Sequence, residues 1–188
     1  MKFVLAATGA SGSIYMQRLL TRIDAREHEV HLVLSSHARQ VAVSELPEGR
    51  LTIPEGVHLH DERSMYVPFT SGSTHFDAMV VVPCSMGTLA RVAAGTSDNN
   101  ILRAADVFLK ERRKLILVPR ETPWNLIQAR NVVTVIEAGA LVLPAVPSFY
   151  HRPGSVEEVV DTVVFRILDQ MGLPATEAPR WQEGSTGE

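Results

Sequence analysis

Residues 115–123 of this 188-residue chain, Leu-Ile-Leu-Val-Pro-Arg-Glu-Thr-Pro, restrict the possible folds more than any other stretch. Four consecutive apolar residues are typical of a strand buried on both faces, as in parallel sheets. After the strand, Thr122 and Pro123 resemble an N-cap followed by proline at the first helical position. Arg120 and Glu121 would then lie in a strand-to-helix turn, and in open α/β sheets the crevice beside such turns binds ligands. A cation suits an anionic ligand and a carboxylate suits proton transfer, although both charges could also simply face solvent.

The composition is that of an ordinary globular protein, with 45% hydrophobic and 21% charged residues. The length is enough for one full core and short for two domains. A formal net charge of −3 offers no field that would attract nucleic acid or an acidic membrane, and no apolar run approaches the roughly 20 residues that span a bilayer. The single cysteine excludes an internal disulfide and favours a reducing compartment. We therefore expect a cytoplasmic single domain that binds neither nucleic acid nor membranes.

Strand-like and helix-like segments alternate along the chain without an internal repeat. The predicted central strands cover residues 3–7, 30–35, 76–83, 115–118 and 140–143. The alternation predicts an α/β fold, a three-layer doubly wound sandwich around a parallel sheet, Rossmann-like or flavodoxin-like in class. Residues 1–173 are predicted to form the domain. Residues 174–188, which are rich in Pro, Glu, Gly, Ser and Thr, are predicted to form a mobile tail.

Two further strand-to-helix turns contain small and hydroxyl residues. Residues 8–13 read Thr-Gly-Ala-Ser-Gly-Ser, where glycine lets the backbone approach a ligand and the following helix end can receive a phosphate. Residues 84–88, Cys-Ser-Met-Gly-Thr, repeat the arrangement. Ser35 and Ser36 stand where a dinucleotide-binding unit would place an acidic residue on the ribose, which argues against NAD and leaves room for a mononucleotide. Cys84 has no basic neighbour to lower its pKa, so we interpret it as a buried small hydrophobe.

The later helices are predicted from caps and apolar spacing. Ser97 or Asp98 is expected to cap a helix on which Arg103 and Lys110 lie two turns apart on one face. The helix after residue 123 is expected to reach the core through Leu126, Ile127 and Ile136. The last helix has a capping box at residues 155–158 and ends at Gly172, with Arg166 beside its apolar stripe.

The three strand-to-helix turns would open on one edge of a parallel sheet. Two of them supply hydroxyls and glycine, and the third supplies Arg120 and Glu121. The residues alone therefore predict a phosphate-bearing mononucleotide, most simply a flavin, with acid–base chemistry from Glu121.

Several motifs also stand in a family-like order. They are Thr8-Gly-Ala-Ser-Gly12, Val81-Val-Pro-Cys-Ser-Met86, Ser97-Asp-Asn99, Arg103-Ala-Ala-Asp-Val107, Leu109-Lys-Glu-Arg-Arg113 and residues 115–123, continued at 147–150 and 166–169. Over about residues 2–172 the chain resembles the UbiX-type flavin prenyltransferases. The resemblance implies transfer of a dimethylallyl group from dimethylallyl monophosphate to N5 and C6 of reduced FMN, without a metal, to give prenylated FMN for UbiD-type decarboxylases. It also implies a large homo-oligomer, commonly a dodecamer, with sites shared between subunits.

The resemblance further implies individual roles. FMN would be held by Gly9, Ala10, Ser11, Ser35, Ser85, Met86, Thr88 and Arg120. The phosphate of the prenyl donor would be held by Lys110, Arg120, Tyr150 and Arg166, with Arg103 reaching a neighbouring subunit's site and Trp181 closing the site. Such cations would stabilise the charge that develops on the leaving phosphate. Ser11 and Glu121 would be the catalytic residues, relaying protons from N5 and C6 toward that phosphate.

Some positions depart from the family pattern. Met65 and Tyr66 stand near a place where an aromatic residue, often Trp, is common. The resemblance therefore does not determine the shape or polarity of the prenyl pocket. Gln128 and Arg130 replace the usual His and Glu, and Trp124 replaces a common aliphatic residue.

Two other functions remain open from the sequence. An FMN-dependent cysteine decarboxylase would need a catalytic His after the first helices and a Pro-x-Met-Asn type motif, and His37 is a poor substitute. A non-catalytic flavin carrier of a decarboxylase complex would not need the set of phosphate-binding residues. The sequence does not choose between monophosphate and diphosphate donors.

Overall fold

The computed structural model describes residues 1–178 and 180, and in that part of the chain strands and helices alternate as predicted. The strands are β1 (Lys2–Ala7), β2 (Glu29–Leu34), β3 (Val57–Asp61), β4 (Ala78–Cys84), β5 (Lys114–Pro119) and β6 (Leu141–Val142). The helices are α1 (Ser13–Leu20), α2 (Ser36–Glu45), α3 (Met86–Ala93), α4 (Asn100–Lys110), α5 (Leu126–Glu137) and α6 (Val156–Met171). A short 3-10 turn covers Pro68–Thr70 in the long segment between β3 and β4.

The strands form one parallel sheet in the order β3-β2-β1-β4-β5-β6. The chain winds outward from β1 in one direction and from β4 in the other, so the topological switch lies between these two strands. Helices α1, α2 and α6 pack on one face, and α3, α4 and α5 on the other. The doubly wound α/β prediction is confirmed.

The continuous apolar runs have a simple reason in this fold, because the central strands are covered on both faces. Along β1, Phe3 and Leu5 belong to the core layer under α1 and α6, whereas Val4 and Ala6 belong to the layer under α3 and α4. Cys84 at the end of β4 is fully buried, and its burial raises the pKa of the thiol to about 12. This confirms its interpretation as a small hydrophobe.

Helix α5 differs from the sequence prediction in both its start and its orientation. It begins at Leu126 and not at Pro123, because the Asn125 side chain accepts a hydrogen bond from the Gln128 amide in a capping box. Its three predicted core residues, Leu126, Ile127 and Ile136, are 64%, 70% and 51% exposed, whereas Val135 is buried. Spacing identifies an apolar helix face but does not say whether that face meets the core or the surface.

The amino-terminal cap of α4 also differs from the sequence prediction. Asn99, and not Ser97 or Asp98, caps α4 by accepting from the Leu102 amide at 2.9 Å.

After α6, Ala178 is buried. The domain boundary at 173 and the mobility of the tail stay predictions, and Trp181 lies outside the described residues. Among residues 1–178 and 180, no helix has both the length and the apolar character to cross a bilayer.

Candidate active site

The three predicted ligand turns meet at the carboxyl ends of β1, β4 and β5. The backbone amide and the hydroxyl of Thr8 each donate to the Pro83 carbonyl at 3.1 Å, and the Ser85 amide donates to the Thr8 hydroxyl at 2.8 Å. The Arg120 amide donates to the Cys84 carbonyl at 3.3 Å. The turns after all three strands are therefore joined directly by hydrogen bonds, as the parallel sheet predicted.

The first turn is held by a carboxylate that the sequence analysis did not identify. Glu45, the last residue of α2, accepts from the Gly12 amide at 2.9 Å and from the Ser13 amide at 2.7 Å. Burial raises the pKa of Glu45, but hydrogen bonds from the Ser11 and Ser13 side chains and from both amides outweigh it, and the net shift is downward. Glu45 thus remains ionised and fixes Ser11 in the turn. No sequence signal pointed to it, because α2 has no motif that relates its last residue to a turn 33 residues earlier.

This contact corrects the expectation that the amino end of α1 receives a phosphate. The amide groups there already bind the Glu45 carboxylate. The amino end of α2 is also occupied, since the Ser36 amide donates to Glu62 at 2.7 Å. At α3, Ser85 caps the helix through the Thr88 amide, and among the described residues no carboxylate bonds the amides of Met86 and Gly87. A phosphate therefore fits best at α3.

The residues around the α3 amino end fit the phosphate and hydroxyl groups of FMN. The Ser85 and Thr88 hydroxyls lie 3.0 Å apart, and the Ser35 amide donates to the Ala7 carbonyl, which brings the cap of α2 to the same edge. At Gly9, an added Cβ would lie 2.5 Å from the His37 Cβ, so the first turn presses against the start of α2 without a side chain between them. These groups form a cradle of backbone and hydroxyl donors that suits a mononucleotide.

Arg120 and Glu121 project from the third turn beside this cradle, and both are exposed. Tyr15 lies against the first turn, because a Cβ at Gly12 would come within 2.9 Å of its ring. Burial raises the pKa of the Tyr15 phenol and the charge of Arg120 opposes the shift, which indicates that the Arg120 guanidinium lies near that ring. The Trp124 indole donates to the Glu121 carbonyl at 3.0 Å and so fastens the turn.

Tyr150 and Arg166 lie together in a cavity of about 150 Å³. We call it the donor cavity, because the resemblance assigns both residues to the phosphate of the prenyl donor. Other residues that line this donor cavity are Ser148, His151, Thr162, Phe165, Ala178 and Arg180. The loop leading to Tyr150 starts at the same sheet edge, since the Ala145 amide donates to the Pro119 carbonyl at 3.0 Å. The buried Nδ1 of His151 has no hydrogen-bond partner among the described residues. A small polar cavity with a guanidinium and a phenol is suited to a phosphate group.

Two predicted substrate-binding residues do not join the donor cavity within one chain. Helix α4 runs opposite to the strands, so Lys110 at its end lies near the first residue of β5, at the far edge of the sheet, where it pairs with Glu111. Arg103 donates to the Thr70 carbonyl at 3.1 Å and pairs with Asp106 at 2.7 Å. Neither residue lines the donor cavity of its own chain, and Trp181 lies outside the described residues.

Known proteins resemble this chain over nearly its whole length. Residues 1–168 match the model of the Flavoprotein family. The chain is 42% identical over 197 aligned positions to the flavin prenyltransferase UbiX of Pseudomonas aeruginosa, covering 97% of this chain and 94% of the relative. A dodecameric FMN-dependent UbiX-like decarboxylase from Escherichia coli O157:H7 superposes with a TM-score of 0.90 at 38% identity, covering 97% of this chain and 100% of that one.

A second solved structure, AnUbiX in complex with FMN and dimethylallyl pyrophosphate, has a TM-score of 0.89 at 40% identity and is covered to 97%, as is this chain. The similarity extends over nearly the full length and lies well above the level at which only the fold is shared. The chain belongs to the UbiX flavin prenyltransferase family.

Proposed function

We propose that this protein joins the dimethylallyl group of dimethylallyl monophosphate to N5 and C6 of reduced FMN. The observation that supports this most is the pairing of two anion sites at one sheet edge. One is the open amino end of α3 with its hydroxyls, and the other is the donor cavity of Tyr150 and Arg166. A flavin-binding protein without group transfer would need only the first.

On the flavin side, the chain supplies donors and a shaped backbone. Ser85, Thr88 and the amide of Met86 hold the FMN phosphate, and Ser35 lies beside them. Gly9 and Ala10 let the backbone of the first turn approach the ring system. Reduced FMN supplies the nucleophilic nitrogen and ring carbon that accept the prenyl group.

On the donor side, the chain stabilises the leaving phosphate. Loss of this phosphate places negative charge on its oxygens. Tyr150 and Arg166 line the donor cavity, and Arg120 lies in the third turn of the same crevice, so these donors would stabilise that charge. Donors fixed in advance lose little reorganisation energy when the charge develops, so their effect is larger than in water.

Proton transfer falls to two residues near the flavin side of the crevice. Ser11 is held by Glu45, so its hydroxyl has a fixed orientation and an acceptor to which it can donate. The Glu121 carboxylate accepts from the Thr122 amide at 3.0 Å and remains exposed at the mouth of the site. Ser11 and Glu121 therefore take up the protons that leave N5 and C6 and pass them toward the departing phosphate.

The assembly follows from the exposed face of α5 and from the two remote cations. Four apolar side chains of α5 are 51–70% exposed, namely Leu126, Ile127, Val133 and Ile136. A monomer rarely exposes a large apolar patch of this kind. A homo-oligomer, dodecameric like the E. coli neighbour, would cover this face and could supply Lys110 or Arg103 to another copy's site. The product would pass to a UbiD-type decarboxylase that uses prenylated FMN.

The test is the mass of the flavin extracted after the purified protein is incubated with reduced FMN and the prenyl donor. We expect a gain of one dimethylallyl group with the monophosphate, and parallel reactions with the diphosphate decide the donor. Glu121→Gln should retain FMN but slow this gain by roughly 10²-fold or more, since general acid–base catalysis contributes about that much. A wild-type protein that binds FMN and never increases its mass would instead be a flavin carrier.

A further inference from the structure

The carboxylate of Asp169 on α6 is shared by two guanidiniums. Arg180 forms a two-pronged pair with it, from Nη1 to Oδ2 at 2.6 Å and from Nη2 to Oδ1 at 2.8 Å. Arg166, three residues earlier on the helix, reaches the same Oδ2 only at 3.4 Å. The bidentate geometry is the stronger of the two interactions. Hydrogen bonds from Arg180 are also the main cause of the lowered pKa of Asp169, ahead of the charge of Arg166.

Both guanidiniums belong to the donor cavity. Arg166 and Arg180 line it together with Tyr150, and Asp169 lies behind them with 16% of its side chain exposed. Arg180 reaches this place because the segment after α6 folds back on the helix, where Ala178 is buried and Glu177 pairs with Arg22 at 2.6 Å. A residue 11 positions after Asp169 thus becomes part of the cavity wall.

An acidic residue beside a phosphate-binding arginine is unfavourable for binding unless its charge is satisfied elsewhere. Because Arg180 binds both oxygens of Asp169, a closer approach to Arg166 would add little stabilisation to the carboxylate. Without Arg180, the largely buried carboxylate would pair with the nearest cation, which is Arg166 on the same helix face. Arg166 would then have to break an ion pair before it could bind a phosphate.

We propose that Arg180 is a positioning residue for the prenyl donor, which holds Asp169 and so leaves Arg166 available to the donor's phosphate. The proposal rests on the proposed function of the cavity. It assigns to the segment after α6 a role in substrate affinity that acts through Asp169, in addition to any contribution to folding.

The experiment compares three variants of the full chain, Arg180→Ala, Asp169→Asn and the double variant. The KM for dimethylallyl monophosphate is measured at low salt with reduced FMN, and the Kd of the same donor is measured by calorimetry on protein that contains oxidised FMN. Arg180→Ala should raise KM and Kd roughly three- to tenfold, the range expected when one ordinary hydrogen bond must be broken, with kcat little changed. Asp169→Asn alone and the double variant should both remain within about twofold of the wild type.

The restored affinity of the double variant is the decisive result, because a purely structural role for the ion pair predicts the opposite. If Arg180 only anchors the chain, Asp169→Asn should be as harmful as Arg180→Ala and the double variant should not recover, and that pattern overturns the proposal. Arg26→Ala is the matched control, since Arg26 forms a similar pair with Asp24 at an exposed site and should leave KM unchanged.

The outcomes separate this proposal from the function on which it rests. If the wild-type protein forms no prenylated flavin with either donor, the proposed function fails. If the wild type is active and Arg180→Ala has the wild-type KM and Kd, the positioning role alone is wrong.

Discussion

Gly9 has no room for a side chain, since a Cβ added there would lie 2.5 Å from the Cβ of His37, an atom fixed by the α2 backbone. This close contact sets the first turn against the cap of α2. Glu45, at the other end of the same helix, binds the amides of Gly12 and Ser13 in the same turn. Helix α2 therefore shapes the flavin cradle at both of its ends, one by steric contact and one by charge.

We predict that Gly9→Ala weakens FMN binding at least tenfold and lowers the free energy of unfolding by about 1–3 kcal/mol, the usual cost of overpacking. FMN titration by flavin fluorescence and urea unfolding measure the two effects. Gly154→Ala is the matched control, because its nearest neighbour would be a flexible carboxylate oxygen at 3.7 Å, and it should change neither quantity. Wild-type FMN affinity in Gly9→Ala would contradict the cradle as described.

At the scale of elements, α1 and α6 are joined by one buried carboxylate. Asp161 on α6 accepts from Arg18 at 2.8 and 2.5 Å and from Arg22 at 2.5 Å, with 8% of its side chain exposed. The Arg22 guanidinium also lies 4.5 Å above the Phe165 ring. Burial raises the pKa of Asp161, but the hydrogen bonds and charges of both arginines lower it further, and the net shift is downward.

We predict that Asp161→Asn lowers the free energy of unfolding by about 2–4 kcal/mol at pH 7, because two guanidiniums lose a buried partner. A depressed folded pKa means that this contribution is complete above the unfolded pKa of about 3.9 and disappears as the pH falls through the folded value. The stability difference between wild type and variant should therefore be constant from pH 7 to about pH 5 and shrink below about pH 4.

Urea unfolding at several pH values makes this measurement. Asp24→Asn, which removes an exposed pair with Arg26, should not change stability measurably at any of these pH values. A difference between wild type and Asp161→Asn that stays constant down to pH 2 would show that Asp161 does not titrate as described.

At the scale of the whole molecule, the outward face of α5 and the position of Lys110 far from the donor cavity both favour a homo-oligomer. Ile127 is 70% exposed on that face. Under the proposed function, another copy of the chain would supply the cations that are missing from the donor cavity. Assembly would also explain why an apolar stripe with core-like spacing faces outward.

We predict that Ile127→Asp reduces the oligomer to smaller species, because a charge at the centre of an apolar contact is left without a partner. Light scattering coupled to size exclusion measures the mass. Val43→Asp is the control, since Val43 is equally exposed, at 68%, but lies on α2, and it should leave the mass unchanged. An unaltered mass for Ile127→Asp would exclude this face as an interface.

The sequence by itself determined the parallel sheet and the edge at which the three strand-to-helix turns meet, because buried strands and such turns are local patterns. It also identified Ser85 and Thr88 at the α3 turn, and the pairing of Tyr150 with Arg166 followed from the resemblance. Only the tertiary structure decided which helix end stays open to a phosphate, since Glu45 and Glu62 occupy the other two from distant positions in the chain. It likewise decided that the apolar face of α5 points outward and that Arg180 reaches Asp169. The physical reason is that periodicity and caps report local backbone energetics, whereas the partner of a charge and the covering of a helix face depend on how separate elements pack.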